Sequence, residues 1–335
     1  MNSPNDFFDP ARDIPRLHEL ARKRIYLGTS SWKYEGWLGQ VYHEDYHRIL
    51  KGIPVLNKSK FDKESLSEYA TVFPTVCNDS MYYRLPELKQ LEGIEKKLPP
   101  DFKMTFKCPE SVTLRQERSF MRTEPAEKNE YYLDPKLFAQ YVLAPIRDVF
   151  KEKLGAIIFE FSPFFFEQGW GAAKEYDYEH FVADLDKFLG AIPAGYEYAV
   201  EVRDPILIHP GYDDYLTMLR SHKVAHVINA QTWMPPIEEQ IKRPGIVTTD
   251  RIVIRALTKR GVKHEAAVKR FEPYTETLEP MPDMRRAIAE LMMQAEYNQW
   301  LFEAYVNNRT EGNAPNTIHG ILNAYDELKR AEGKT

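Results

Sequence analysis

Several apolar runs of strand type in this chain carry a charged or amide side chain where a buried strand should stay greasy. They are Tyr198–Arg203, Phe102–Lys107, Ala156–Glu160, Arg251–Arg255 and Leu301–Asn308. Charged side chains are rarely buried unless they are paired or functional. A polar residue at one strand end has no special meaning. Repeated over many parallel strands, it describes the mouth of a barrel, where active sites sit. Side chains alternate along a strand, so Glu201 and Arg203 share a face, Glu160 lies with Ile158, and Arg255 lies with Val253. The spacing predicts that Lys107, Arg203 and Arg255 converge with Glu160 and Glu201, helped by Asn78, Asn229 and Asn307.

Three chemistries fit that set. The charges could form an ion-pair network that seals the barrel. Alternatively, three cations against two carboxylates leave one cation for an anionic ligand. Glu160 and Glu201 could also act as an acid–base pair, as in glycoside cleavage, which would make the chain a metal-independent hydrolase or isomerase. The flanking loops add to this. Trp32, Tyr34, Trp37 and Tyr42 follow the first strand, and Phe164, Phe165, Phe166 and Trp170 follow the fourth. Such rings can stack on bases or sugar faces, or fold back as the core of a lid. Trp32, nearest a strand end, is the candidate for ligand contact. The basic stretch Thr258–His264 supplies Lys259 and Arg260 as phosphate candidates, with Asn308 and Arg309 after the eighth strand. Loops after strands seven and eight are where such barrels hold phosphate, although a solvated surface loop reads the same way.

Metal chemistry finds little support, and no cofactor is expected. The 9 histidines are scattered, with no HxH or HExxH pair. His43 and His47, one helical turn apart, lack an accompanying carboxylate motif. Ser30 and Ser31 have no evident histidine partner, and the nucleophile motif GxSxG is absent.

To position these residues the chain must alternate strands and helices. Strands are predicted around 25–28, 75–78, 102–107, 156–161, 196–203, 224–229, 252–257 and 301–307, as a (β/α)8 barrel requires. Asp134-Pro135 reads as a helix N-cap with proline in the first turn, and Pro145 should kink the helix that follows. Phe181, Val182, Leu185, Phe188 and Leu189 form one helical stripe; Met284, Ile288, Leu291, Met292 and Ala295 form another. Long excursions follow the first strand, from Thr29 to about Phe61, and the third, from Pro109 to Leu133. The expected architecture is a single α/β barrel over residues 24–331, preceded by an N-terminal extension over 1–23.

Composition sets outer bounds. At 335 residues and 43% hydrophobic content, the chain can fill one large core. A formal charge of −5 argues against non-specific nucleic-acid binding through net charge, so nucleic acid is a less favoured partner than a small anionic ligand. Cys77 and Cys108 are the only cysteines, which reads as reduced thiols in a cytoplasmic protein. Residues 1–23 show no apolar signal core, and no later run is long enough to cross a bilayer.

The chain resembles the YecE-like family, domain of unknown function 72. The matching segments are Gly28–Tyr42 (GTSSWKYEGWLGQVY), Asn78–Pro86, the Phe106-Lys107 strand end, Ala199–Pro205 (AVEVRDP), and Asn307-Asn308 followed by Gly312, Ala314 and Pro315. They span nearly the whole chain in the family's order. The resemblance implies a TIM barrel of no established activity. It also shows departures. Cys77 directly precedes Asn78 where the family usually has Glu two residues before the Asn. Glu160-Phe161-Ser162-Pro163 stands where Gln-x-Pro-Pro is favoured. Arg255 is followed by Ala256, Leu257 and Thr258 where the family tends to read Arg-x-His-Gly. Because relatives often carry Gln at the position of Glu160, Glu201 is expected to be the more important carboxylate. The leading expectation is a site that binds, and could hydrolyse or isomerise, a phosphorylated sugar or nucleotide-like ligand. The alternatives are recognition of a phosphate-bearing partner such as nucleic acid, or a structural polar ring. Oligomeric state is open.

Overall fold

The structure is a computed structural model describing residues 7–43, 45–116, 128–162 and 178–333. Eight parallel strands close into a barrel: β1 Ile25–Thr29, β2 Thr75–Asn78, β3 Lys103–Lys107, β4 Leu154–Phe161, β5 Tyr198–Val202, β6 Ala225–Ala230, β7 Arg251–Ala256 and β8 Leu301–Val306. Each pairs with its chain neighbours, and β1 closes the ring on both β8 and β2. All eight fall where the sequence places them, with ends shifted by a residue or two. At the β1–β2 seam the backbones come very close. A Cβ on Gly28 would stand 2.1 Å from the Thr75 carbonyl oxygen, so only glycine fits.

The strand interior faces form one stack of small apolar side chains: Cys77, Ala156, Ile158, Ala199, Ala225, Val227 and Val253, with Tyr305. This waist separates two polar layers. At the amino-terminal end Glu303 accepts hydrogen bonds from Arg251 Nε (2.8 Å) and the Tyr305 hydroxyl (3.0 Å). That pair was not anticipated. At the carboxyl-terminal end lies the charged ring described below.

Helices cover the outside. Pro282–Asn298 buries Met284, Ile288, Leu291, Met292 and Ala295, and Tyr178–Ala191 buries Phe181, Leu185, Phe188 and Leu189, the two stripes read from spacing. Asp134 caps its helix by accepting from the amides of Lys136 (2.8 Å) and Leu137 (3.2 Å). Pro145 is accommodated by a π-helical stretch, Phe138–Leu143, leading into a regular helix over Ala144–Phe150. The expected N-terminal extension includes the helix Pro10–Arg22, which is clamped to the last helix, Ala314–Glu332. Buried Asp13 faces His319 Nδ1 at 2.6 Å, and Arg16 reaches Asp326 at 2.6 Å. Both cysteines are free and buried. Among the described residues no helix is long and apolar enough to cross a membrane.

His226, on the outward face of β6, packs edge-on against Tyr215 with ring centroids 5.7 Å apart. Its Nδ1 lies 3.2 Å from the Tyr215 hydroxyl, while Nε2 has no hydrogen-bond partner among the described residues. Burial depresses its pKa from 6.5 to about 3, against a smaller opposing pull from Glu201. The unfolded chain therefore takes up this proton first as pH falls. Stability linked to His226 is complete above about pH 6.5 and erodes progressively towards pH 3. We expect the melting temperature of His226→Phe to fall less than that of the unaltered protein between pH 7.5 and pH 5; parallel falls would contradict the assignment.

Candidate functional site

Lys107, Glu160, Glu201, Arg203 and Arg255 meet at the carboxyl end of the barrel, because each continues the inward-facing alternation of its strand. Glu160 and Glu201 sit in register on β4 and β5, so two like charges stand side by side. Unbridged, that pairing would be destabilising. Arg203 spans it, with Nη2 2.6 Å from Glu160 Oε2 and Nε 3.0 Å from Glu201 Oε1. Arg255 spans it from the opposite side, with Nη1 2.7 Å from Glu201 Oε2 and 3.3 Å from Glu160 Oε2. Lys107 Nζ approaches Glu160 Oε2 at 2.5 Å and lies 3.3 Å from the centre of the Tyr82 ring.

The ring has a member that the sequence reading missed. Asp79 Oδ2 accepts from Arg255 Nη2 at 2.6 Å, giving that guanidinium a third carboxylate. Asn78, the expected member, faces the other way. Its Oδ1 accepts from the Ser80 amide at 3.0 Å and the Ser80 hydroxyl at 2.6 Å, and it forms part of a groove beside the mouth. Alternation counted from inward-facing Cys77 selects Asp79, and that was the available signal.

Electrostatics fix the charge states. Burial opposes ionisation of Glu201, but Arg255, Arg203 and Lys107 outweigh it and hold its pKa at about 2. Burial likewise opposes the charge on Arg255 and Arg203, and their carboxylate neighbours overcome it, so both pKa values are raised. With side chains 2% and 0% exposed, Glu160 and Glu201 are buried against the cations of the ring. Asp79 is the accessible carboxylate of the three, at 37%.

Above the ring is a cavity of about 220 Å³ whose walls include Asp79, Lys107, Arg203, Arg255, Thr258 and Arg309. Arg309, which follows β8, contacts the Tyr274 hydroxyl and has no carboxylate partner among the described residues. Buried polar atoms without a hydrogen-bond partner among the described residues occur here too: Arg255 Nε, Thr258 Oγ1 and Arg309 Nε.

Other expected ligand contacts are placed elsewhere. Asn307 Nδ2 donates to Ser30 Oγ at 2.7 Å, and its Oδ1 accepts from the Arg309 amide at 3.0 Å, so it ties β8 to β1. Asn308 is fully buried and accepts from Trp37 Nε1 (3.1 Å) and the Ala314 amide (2.8 Å), a packing role rather than a ligand contact. Lys259 lies 3.6 Å from Glu279, and neither it nor Arg260, both exposed, is among the residues around the mouth. Loops seven and eight do reach the cavity, through Thr258 and Arg309 instead. Trp37 and Tyr42 are buried in an aromatic cluster with Tyr34, Tyr69 and Phe61, so this loop forms a lid core. Trp32 is also buried, forming part of the groove rather than the mouth. Phe164, Phe165, Phe166 and Trp170 lie outside the described residues. Among the described residues no group of three or more His, Cys, Asp or Glu side chains could hold a metal ion.

A closed barrel of eight parallel strands alternating with helices defines a TIM-barrel protein. The family described as protein of unknown function DUF72 matches over residues 26–334, and the chain belongs to it. A DUF72 family protein from Enterococcus faecalis V583 superposes with a TM-score of 0.59 at 16% identity, covering 90% of this chain and 95% of that one. Another from Thermotoga maritima MSB8 gives 0.55 at 21% identity, covering 91% and 99%. At these identities the likeness speaks for the fold alone. No curated protein matches the chain.

The contacts also revise the ranking of the carboxylates. Glu160 neutralises three cations and Glu201 two. We expect Glu160→Gln and Glu201→Gln each to lower stability by about 3–5 kcal/mol in denaturant unfolding, because each strands buried positive charge. A tolerated Glu160→Gln would show that Lys107 and Arg203 find relief elsewhere.

Proposed function

We propose that the barrel mouth binds a compact anion, the charged end of a phosphorylated sugar or nucleotide-like ligand. One observation carries this reading. Lys107, Arg203, Arg255 and Arg309 at the cavity outnumber the carboxylates Asp79, Glu160 and Glu201, and the surplus cation, Arg309, has no ion-pair partner among the described residues. The unpartnered atoms Arg255 Nε, Arg309 Nε and Thr258 Oγ1 offer hydrogen bonds at the same place. The cavity, at about 220 Å³, is smaller than the roughly 300–1,000 Å³ of drug-sized sites, so it suits one anionic group and not a whole large molecule.

A metal-independent hydrolase or isomerase would need a carboxylate that reaches the ligand. Asp79 meets that requirement; Glu160 and Glu201, sealed beneath the arginines, do not. Catalysis at this mouth therefore rests on Asp79, not on the glutamate pair. The two free, buried thiols support the further proposal of a reducing, cytoplasmic setting.

Phosphate or glucose 6-phosphate should raise the melting temperature by a few degrees more than chloride at matched ionic strength, as binding to the native state requires. Arg309→Met should remove that difference without unfolding the protein, since Arg309 holds none of the buried carboxylates. An equal response to all salts would leave the ring a structural device.

A further inference from the structure

Beside the mouth, and separate from its cavity, lies a groove of about 720 Å³ between the helices Lys58–Val72 and Leu88–Glu95. Lys33, Lys63, Lys89 and Lys97 contribute to its walls, and none of the four has a carboxylate within 4.0 Å among the described residues. Arg84 adds a fifth cation, against Asp62 and Asp79. Such a concentration of unneutralised lysine is unexpected in a chain whose formal net charge is −5. Lys97 is half-buried; burial, then the charges of Lys33 and Lys63, lowers its pKa. Lys33 and Lys63 thus lie near enough to Lys97 to disfavour its charge. The groove floor is apolar, with Trp32, Leu66 and Ile94, and Lys33 stands 5.9 Å from the Trp32 ring centre. The Trp32 indole Nε1 is buried without a hydrogen-bond partner.

We propose that this groove is a binding site for a diphosphate or longer phosphate chain, held by Lys33, Lys63 and Lys97, with the Trp32 floor beneath it. Several lysines on separate elements match several phosphoryl groups better than one, because each added negative charge relieves repulsion already present in the empty groove. The volume exceeds that of the mouth more than threefold and leaves room for an organic group on the phosphate chain. The site stands apart from the anion reading of the mouth, from which Asp79 divides it.

The test is calorimetric titration with orthophosphate, pyrophosphate, tripolyphosphate and adenosine diphosphate at matched ionic strength. Pyrophosphate and tripolyphosphate should bind tighter than orthophosphate by about tenfold or more. Tighter binding of adenosine diphosphate than of pyrophosphate would identify a nucleoside-borne chain, and the reverse order a free one; both are forms of the proposed ligand. The triple variant Lys33→Met, Lys63→Met, Lys97→Met should lose this binding and keep its melting temperature, while Arg309→Met should retain it. Absence of pyrophosphate and tripolyphosphate binding at about 1 mM, or equal binding by the triple variant, would overturn the proposal. Loss in Arg309→Met with retention in the triple variant would move the site to the mouth.

Discussion

The mouth of this barrel is organised around the guanidinium of Arg255. A cation removed from water is tolerable only when anions and hydrogen-bond acceptors replace the water it has lost. Three carboxylates from three strand ends do so here, and each is drawn to a definite position by the requirement. The two glutamates would repel one another without the arginines between them, and the arginines could not remain buried without the glutamates. Lys107 and Tyr82 close the remaining side. The arrangement explains why charges can stand in the interior of strands that are otherwise apolar.

The same constraint separates the rim of the mouth from the ring beneath it. Glu160 and Glu201 are sealed beneath the arginines, whereas Asp79, which also pairs with Arg255, stays accessible. On the proposed reading, Asp79, Thr258 and Arg309 at the rim would meet the ligand, with the ion-paired ring beneath them. The aromatic loop after β1 has a comparable supporting role. Its rings hold the loop against the helix Lys58–Val72, and through Trp37 and Asn308 they join it to the end of β8.

Much of this was legible in the sequence, for reasons that also mark where legibility stops. Strand alternation is strict, so the eight strands and the inward direction of Lys107, Glu160, Glu201, Arg203 and Arg255 follow from counting by twos. Just past a strand end the rule still holds but is easily misread. Asn78, Asp79 and Ser80 are all polar, and the choice among them depends on phase from Cys77. Arg309 lies beyond any strand, in the short helix Asn308–Glu311 after β8, where direction depends on tertiary packing rather than on strand period. The same is true of Lys259 and Arg260, whose composition suggested phosphate but whose loop points them to solvent and to Glu279. The groove lysines come from a loop, two helices and the turn after the second, and no linear pattern brings them together. The buried pair of Arg251 and Glu303 could have been inferred from the same alternation that revealed Arg255, since both share its face.

That second pair has a consequence for how the barrel can change over generations. With an ionic layer at either end and small apolar side chains between, no position in the two layers is independent of its partners. A single substitution of Arg251 strands Glu303 in the interior, and one of Glu303 leaves Arg251 only the exposed Glu197, whereas exchange of both for neutral groups of similar volume need not strand a charge. Descendants of this chain should therefore reach new interiors by paired replacement, and the record of such pairs would read as inheritance in couples rather than in single letters.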